Sequence, residues 1–270
     1  MAKASRQMCQ PWKVLNPPSQ YADDTNLRAR QRFWQHQSPP FNFLGWVLSL
    51  VDVNPSHRVL DVGCGNGDYL RAIAQHHNTV VGCDLSLGML RAARCPTTIC
   101  ADICALPAAD DAFQIVFAPH MLYHVADRKT AIDELRRVLT SGGALVAVTN
   151  GSGHIASMRA CVEAAVQPST PGWRMIDPAV RAFSLETGAT QLKAAFSSVR
   201  CVRPDNRRQI VIRDSSIVAD YVASTADYYQ SEVVCPWPEV VDKVRRDVQR
   251  VIERHGAFVT SGDVGAFVCR

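Results

Sequence analysis

The sequence lacks the features by which membrane, fibrous and secreted chains are usually recognised. Its longest apolar stretch, residues 41–53, is interrupted by Asn42 and Ser49, and it falls short of the roughly 18 to 20 residues that a membrane span needs. No internal repeat is present, and the basic residues near the first position are not followed by the apolar run of a secretory signal. We therefore expect a cytoplasmic protein that does not bind a membrane.

The pairing of cysteines that builds zinc sites is also missing. The chain has ten cysteines but no C-x-x-C pair, and its nearest grouping, Cys95, Cys100 and Cys104, has spacings of five and four. Structural zinc sites are usually built on closely spaced pairs, and a chain of this length does not depend on disulfides for its core. We therefore predict free thiols and no metal site.

A dense basic stripe of the kind that binds nucleic acid is absent. The net charge is +4, from 29 Lys and Arg against 25 Asp and Glu. Residues 1–40 carry +4, residues 41–150 carry −2 and residues 151–270 carry +2. Nucleic-acid-binding proteins usually concentrate their basic residues more strongly. We therefore expect a small-molecule substrate and no nucleic acid, and leave open whether the protein is a monomer or a homodimer.

What the sequence does contain is an alternation of apolar strands and amphipathic helices. Predicted strands cover residues 58–62, 79–83, 98–101, 113–118 and 144–149; helices cover 69–76, 87–94 and a segment from Asp127 that ends at Gly142. Such alternation is typical of a parallel sheet with helices on both faces. After Asn150 the alternation stops, and we predict helices at 154–166, 184–196, 217–225 and 239–255 and strands at 199–202, 209–212 and 265–269. We expect all of these strands to belong to one sheet.

The most specific motif follows the first of these strands and reads Asp61-Val62-Gly63-Cys64-Gly65-Asn66-Gly67. A dinucleotide-binding G-x-G-x-x-G would have its third glycine at the position of Asp68. Here that glycine comes one residue early, and the carboxylate of Asp61 would repel a pyrophosphate but suits an ammonium group. Asp84 ends the next strand, where it can accept hydrogen bonds from both hydroxyls of a ribose. Together these residues predict a nucleoside ligand without a diphosphate.

With these residues the sequence resembles the class I S-adenosylmethionine-dependent methyltransferases, from about Tyr21 to the C-terminus, and is similar to bacterial enzymes that tailor small natural products. The resemblance implies an α/β fold, a doubly wound, mainly parallel seven-stranded Rossmann-like sheet with helical cap insertions. It also implies S-adenosyl-L-methionine as the cofactor and S-adenosyl-L-homocysteine as its product.

The resemblance further implies which positions bind the cofactor. Asp84 would bind the ribose, while Asp102 and the amide of Ile103 would read the adenine edge. An N-terminal helix would close over the cofactor, with Tyr21 or Arg30 at the methionine carboxylate. The full set of predicted cofactor residues is Tyr21, Arg30, Asp61, Gly63, Cys64, Gly65, Gly67, Asp84, Leu85, Met89, Asp102, Ile103 and Ala118.

The loop after the fourth strand is the candidate catalytic segment. Enzymes that methylate exocyclic amines of bases resemble one another here in an acid or Asn, two prolines and an aromatic residue, whereas this sequence reads Ala118-Pro119-His120-Met121. Methyl transfer is an in-line displacement in which positioning can lower the barrier by roughly 7 to 11 kcal/mol. A histidine can add general-base catalysis because its pKa lies near working pH. The candidate catalytic residues are His120, His124 and Tyr123.

We divide the chain into an N-terminal arm and helix that act as a lid (1–56), a cofactor-binding half of the core (57–150) and a second half with insertions that cover the substrate (151–270). The predicted activity is methyl transfer to a small organic acceptor, a secondary metabolite or its precursor, with His120 as the candidate base. An RNA or protein methyltransferase is the alternative, and an open basic groove in place of a closed pocket would favour it.

Overall fold

The structure is a computed structural model that describes residues 18–75, 79–204 and 209–270. Within these residues the strands are β1 (Gln37–Ser38), β2 (Val59–Val62), β3 (Val80–Asp84), β4 (Thr98–Cys100), β5 (Phe113–Pro119), β6 (Leu139–Asn150), β7 (Val199–Val202), β8 (Gln209–Ile212), β9 (Phe258–Ser261) and β10 (Val264–Cys269). The helices are α1 (Thr25–Trp34), α2 (Phe43–Leu48), α3 (Asp68–Ala74), α4 (Leu87–Ala93), α5 (Arg128–Val138), α6 (Ala156–Val166), α7 (Pro178–Ala182), α8 (Gly188–Leu192), α9 (Ser215–Ala223), α10 (Ala226–Tyr229) and α11 (Trp237–His255). Single 3-10 turns cover Pro18–Tyr21, Ile103–Ala105, Leu122–His124 and Gln230–Glu232.

Seven strands form the main sheet, in the order β4-β3-β2-β5-β6-β10-β7. The five strands from β4 to β6 are parallel, and β10 runs antiparallel to both β6 and β7. Every residue of β2 is buried, as expected for a central parallel strand covered on both faces. This arrangement confirms the predicted doubly wound, mainly parallel seven-stranded sheet.

The strand order reverses between β2 and β5. In open α/β sheets such a reversal creates a crevice at the carboxyl ends of the strands, where ligands bind. Four predicted site features reach this edge together: the glycine loop after β2, Asp84 at the end of β3, Asp102 after β4 and His120 after β5. The topology therefore brings distant parts of the sequence to one place.

A second sheet of three antiparallel strands, β1-β8-β9, corrects the expectation that all strands share one sheet. Residues 209–212 form a strand as predicted, but they pair with Gln37–Ser38 and with Phe258–Ser261. β1 is only two residues long, and its partner β8 is far away along the chain, so no local periodicity indicates the pairing. The small sheet covers one side of the crevice.

The segment after β6 contributes a second hydrophobic core, which the residues of α6, α9, α11 and the small sheet share. Trp237 of α11 is 2% exposed and donates a hydrogen bond to the backbone oxygen of Val222 at 2.8 Å. Phe33 of α1 is fully buried in the same core, with its ring centroid 4.8 Å from that of Tyr221. Helix α1 is therefore anchored to this cap. None of the helices in the part of the chain that the structure describes is long and apolar enough to span a membrane.

Two predicted helices have the wrong bounds. Helix α5 ends at Val138 instead of Gly142, because Leu139 already pairs with Phe113 as the first residue of β6. The predicted helix over residues 184–196 shrinks to Gly188–Leu192. There the side chains of Ser184 and Thr187 accept hydrogen bonds from nearby backbone amides, which competes with helix formation.

Candidate active site

A cavity of about 2040 Å³ opens at the carboxyl edge of the main sheet, between the strand ends, α1, α2 and the small sheet. Thirteen of the predicted site residues line it, namely Tyr21, Arg30, Gly63, Cys64, Gly65, Asp84, Leu85, Met89, Asp102, Ile103, His120, Tyr123 and His124. The remaining three predicted positions, Asp61, Gly67 and Ala118, do not belong to the cavity wall.

The glycine loop needs glycine for two different reasons. Gly63, Gly65 and Gly67 all have left-handed backbones, with φ of 67°, 54° and 82°, which side chains disfavour. At Gly63 an added Cβ would also lie 2.7 Å from the Cβ of Met121. At Gly67 it would lie 3.0 Å from the Cβ of Ala93, so Gly67 serves the packing of α3 on α4 rather than the cavity surface. Ala118 is fully buried within β5, which explains its absence from the wall.

Asp61 is fully buried at the end of β2, and neither of its carboxylate oxygens has a hydrogen-bond partner among the described residues. Burial raises the pKa of Asp61 well above its ordinary value, and the nearby charge of Asp84 adds to the effect. An unsatisfied buried carboxyl is costly. The position, two residues before the cavity-lining Gly63, thus fits a ligand that supplies an ammonium group.

Asp84 connects two strand ends. One carboxylate oxygen accepts a hydrogen bond from the backbone N–H of Gly65 at 2.9 Å, and the other accepts one from the N–H of Ser86 at 2.8 Å. Burial raises the pKa of Asp84, while these two bonds act in the opposite direction. Each oxygen keeps a further lone pair for a ligand hydroxyl. Asp102 is held similarly, since it accepts a hydrogen bond from the N–H of Cys104 at 2.9 Å.

The N-terminal arm is tied to the core through Tyr21. Its hydroxyl lies 3.0 Å from Nε2 of His124 and 3.0 Å from the hydroxyl of Tyr228, and its backbone oxygen accepts a hydrogen bond from Ser86 at 2.6 Å. The next residue, Ala22, packs so closely on α4 that a Cβ on Gly88 would lie 1.8 Å from its backbone oxygen. Residues 18–34 of the predicted arm therefore form part of the cavity wall, whereas residues 1–17 lie outside the described residues.

Arg30 is a half-buried cation on this arm, and its Nη2 atom is fully buried. Its Nη1 donates to the backbone oxygen of Ser224 at 3.1 Å, while Nη2 has no partner among the described residues. The guanidinium carbon lies 5.5 Å from the ring centroid of Tyr21. No carboxylate of the described chain forms an ion pair with it. An unsatisfied guanidinium N–H on a cavity wall fits a ligand carboxylate.

His120 follows β5 in a left-handed backbone conformation with φ of 55°, and its N–H donates to the backbone oxygen of Val148 at 3.0 Å. Burial, with a contribution from His154, lowers the pKa of His120 to about 3. The expected titration near neutral pH is therefore wrong, because the surroundings of the ring disfavour the imidazolium. The imidazole stays neutral at physiological pH and lies beside Phe43, with ring centroids 6.0 Å apart.

His124 and Tyr123 belong to an aromatic cluster with Tyr21 and Tyr228. Burial, the charge of Arg30 and His120 lower the pKa of His124 to about 3. The rings of Tyr123 and His124 lie edge to face with centroids 4.3 Å apart, and burial raises the pKa of Tyr123 well above its ordinary value. Both groups are therefore uncharged at neutral pH, and the hydroxyl of Tyr21 fixes the orientation of His124.

Sequence reasoning missed several residues of the site. Tyr228 contacts Tyr21 from a helix with no recognisable motif, so no sequence signal marks it. Asn150 and His154 also line the cavity. Asn150 ends β6 at the same edge of the sheet as His120. A polar residue at such a strand end is a candidate site residue, so the sequence did contain a signal for Asn150. In the described ranges no group of three or more His, Cys, Asp or Glu is arranged to hold a metal ion.

Comparisons with known proteins agree with this geometry. A family model described as a methyltransferase domain matches residues 60–147. A malonyl-[acyl-carrier protein] O-methyltransferase of Halorhodospira halophila is 37% identical over 113 residues, which cover 38% of this chain and 38% of that protein. A demethylmenaquinone methyltransferase of Streptomyces avermitilis is 37% identical over 105 residues, which cover 37% of this chain and 45% of that protein. The chain thus spans less than half the length of either relative.

A solved structure from Anabaena variabilis, described as a methyltransferase from an antibiotic biosynthesis pathway, shares the fold. Its TM-score is 0.62 at 13% sequence identity, and the alignment covers 84% of this chain and 96% of that one. Residues 60–147, which hold the glycine loop, Asp84, Asp102 and His120, are therefore similar to a methyltransferase domain.

Proposed function

We propose that the protein transfers a methyl group from S-adenosyl-L-methionine to a small organic acceptor, a secondary metabolite or its precursor. The observation that carries this proposal is the unsatisfied guanidinium Nη2 of Arg30 on the cavity wall, together with the buried, unsatisfied carboxyl of Asp61 two residues before the cavity-lining Gly63. An α-amino acid end carries the two complementary groups, an ammonium and a carboxylate. Asp84 and Asp102 supply the acceptors for the nucleoside end.

The residues present fit each part of the cofactor. We assign Asp61 and the loop of Gly63 and Gly65 to the methionine ammonium side, and Arg30 to its carboxylate. Asp84 accepts hydrogen bonds from the ribose, with the glycine loop held in place by the same carboxylate. Leu85, Met89, Asp102 and Ile103 surround the adenine. Binding an ammonium would stabilise the charged form of Asp61, which burial disfavours.

The cofactor supplies a methyl group on a sulfonium, which makes that carbon electrophilic. The protein's share of the chemistry is to hold the acceptor in line with this carbon and to exclude water. We assign His120 to the acceptor, because it lines the cavity directly after β5 and its neutral imidazole can accept a hydrogen bond from a nucleophilic O–H or N–H. That hydrogen bond fixes the direction of the attacking lone pair. Because the surroundings of the ring disfavour the imidazolium, His120 does not keep the proton, which leaves to water with the methylated product.

A small acceptor is supported over RNA or protein by the shape and charge of the site. The site is a cavity beneath the cap, and its cationic side chains among the described residues are Arg30 and Arg71. Arg71 is already paired with Asp68. An acceptor that carries a phosphate backbone would need more cations than these two side chains provide.

The test compares two ligands that differ only at the amino acid end. Isothermal titration should give tight binding of S-adenosylhomocysteine and much weaker binding of 5′-methylthioadenosine, which lacks the amino acid. In Arg30→Gln this difference should shrink by about tenfold or more, because a hydrogen bond to a charged group contributes roughly 1.5 to 3 kcal/mol. The matched control is Arg91→Gln, an exposed position of α4 outside the cavity. Equal affinity of the wild-type protein for the two ligands would overturn the proposal.

A further inference from the structure

The cavity continues beyond the residues assigned to the cofactor into a region that no sequence motif marks. We call this region the apolar lobe, and its residues are Trp34, Phe41, Phe43, Leu44, Ile210 and Val264. They come from the end of α1, the loop before α2, the start of α2, the small sheet and β10. The lobe thus lies where the core, the arm and the small sheet meet.

The size of the cavity indicates room for a second ligand. Its volume of about 2040 Å³ exceeds the roughly 300 to 1,000 Å³ of a pocket that takes one drug-sized ligand. The ring of Phe43 lies beside that of His120, with centroids 6.0 Å apart. The apolar lobe is therefore continuous with the position where methyl transfer would take place.

A polar group stands at the inner end of the lobe. Asn150 is 7% exposed, and its Oδ1 has no hydrogen-bond partner among the described residues. Its Nδ2 donates to Asp177 at 3.4 Å, which leaves the oxygen as the end that a ligand can use. A buried acceptor without a donor is costly, and a ligand O–H or N–H would relieve that cost.

We propose that the acceptor is an uncharged molecule with a large hydrocarbon part, which binds in the apolar lobe and donates a hydrogen bond to Asn150 from a hydroxyl or amine other than the nucleophilic group at His120. This inference rests on the proposed function. The lobe residues named above carry no charge, so an ionic acceptor would find no partner in them. Placing the donor group at Asn150 also places it beside the end of β5, where His120 lies.

The binding test uses the protein saturated with S-adenosylhomocysteine and a series of 4-alkylphenols from ethyl to hexyl. Isothermal titration should show an affinity that rises about fourfold for each added methylene, as expected when each one is buried. In the Leu44→Asn variant, the affinity should increase much less with each added methylene. Val234→Asn is the control, since Val234 is 79% exposed and does not line the cavity; it should leave the series unchanged.

The role of Asn150 is tested by comparing butylphenol with butylbenzene, which lacks the hydroxyl. The wild-type protein should prefer butylphenol by about tenfold, and Asn150→Leu should remove that preference while butylbenzene binds as before. If this variant does not fold, Asn150→Ala allows the same comparison.

Two results separate the inference from the proposed function. Affinities that do not change with chain length, in a protein that binds S-adenosylhomocysteine, would overturn the apolar acceptor and leave the methyltransferase proposal intact. A protein that fails to bind S-adenosylhomocysteine would overturn the proposed function itself. A preference for butylphenol that survives in the folded Asn150 variants would overturn the placement of the donor group.

Discussion

The carboxylate of Asp84 accepts a hydrogen bond of 2.9 Å from the backbone N–H of Gly65. This bond joins the end of β3 to the glycine loop that follows β2, so one side chain both shapes the loop and faces the cavity. A substitution at Asp84 is therefore expected to affect the loop and the ligand together, whereas a substitution within the loop tests the backbone alone.

Gly65→Val should abolish cofactor binding without unfolding the sheet. The backbone of Gly65 is left-handed, and an added Cβ would lie 3.3 Å from Leu27 of α1. Gly142→Val is the matched control, because Gly142 also has a left-handed φ of 78° but has nothing within 4 Å of its added Cβ. Both variants should lose about 1 to 2 kcal/mol of stability. Titration calorimetry should show lost S-adenosylhomocysteine binding in the Gly65 variant only; normal binding there would mean that the loop does not cradle the cofactor.

His120 should make the protein less stable as the pH falls. Its pKa of about 3 in the folded protein lies below the ordinary 6.5, so the unfolded chain binds the proton first. The contribution of the neutral ring to the free energy of unfolding is fully present above pH 6.5. It decreases by about 1.4 kcal/mol per pH unit as the pH falls toward 3. The free energy of unfolding of His120→Asn, measured by urea unfolding, should decrease with falling pH less steeply than that of the wild-type protein, by this amount per pH unit. Identical slopes for the variant and the wild-type protein would contradict the lowered pKa.

The same lowered pKa can be observed directly. In ¹⁵N-resolved NMR spectra, the imidazole nitrogens of His120 and His124 should keep the chemical shifts of a neutral ring down to pH 5. Protonation of His120 near pH 6.5 would restore the sequence-based expectation of an ordinary histidine base.

Phe33→Ala should weaken both the fold and the cofactor site. Phe33 is fully buried and anchors α1 to the cap, and replacing such a side chain by alanine costs about 3 to 5 kcal/mol. Since α1 also carries Arg30, the affinity for S-adenosylhomocysteine should fall as well. Phe33→Leu should cost much less and retain binding. Denaturant unfolding and calorimetry on both variants check this, and an undiminished affinity in Phe33→Ala would show that α1 is not needed to hold the cofactor.

The sequence allowed the main sheet and its functional edge to be predicted, because both depend on local patterns. Apolar runs followed by Gly63, Asp84 and His120 mark strand ends, and parallel strands bring such ends together. The β1-β8-β9 sheet could not be predicted, since its pairing joins segments that are far apart and too short to show a period. The neutral state of His120 was also hidden, because it arises from the burial of the ring in the folded cavity and from His154, which lies in the turn before α6.

The remaining errors have the same origin. Asn150 and Tyr228 are single polar residues whose importance comes from what packs around them. The apolar lobe is built from four elements, none of which has a distinctive sequence. A resemblance to a family predicts the cofactor residues that the members share. It does not predict the acceptor site, because each member builds that site from its own insertions.

The most direct test of cofactor binding is a calorimetric titration of the wild-type protein and Asp84→Ala with S-adenosyl-L-methionine. Asp110→Ala is the control, because the carboxylate of Asp110 is paired with Arg137 and lies outside the cavity. We expect one molecule bound per wild-type chain, unchanged affinity in the control and an affinity at least about tenfold weaker in Asp84→Ala, as the loss of hydrogen bonds to a charged group predicts. An equal affinity in a folded Asp84→Ala protein, or no binding by the wild-type chain, would contradict the assignment of this cavity to the methyl donor.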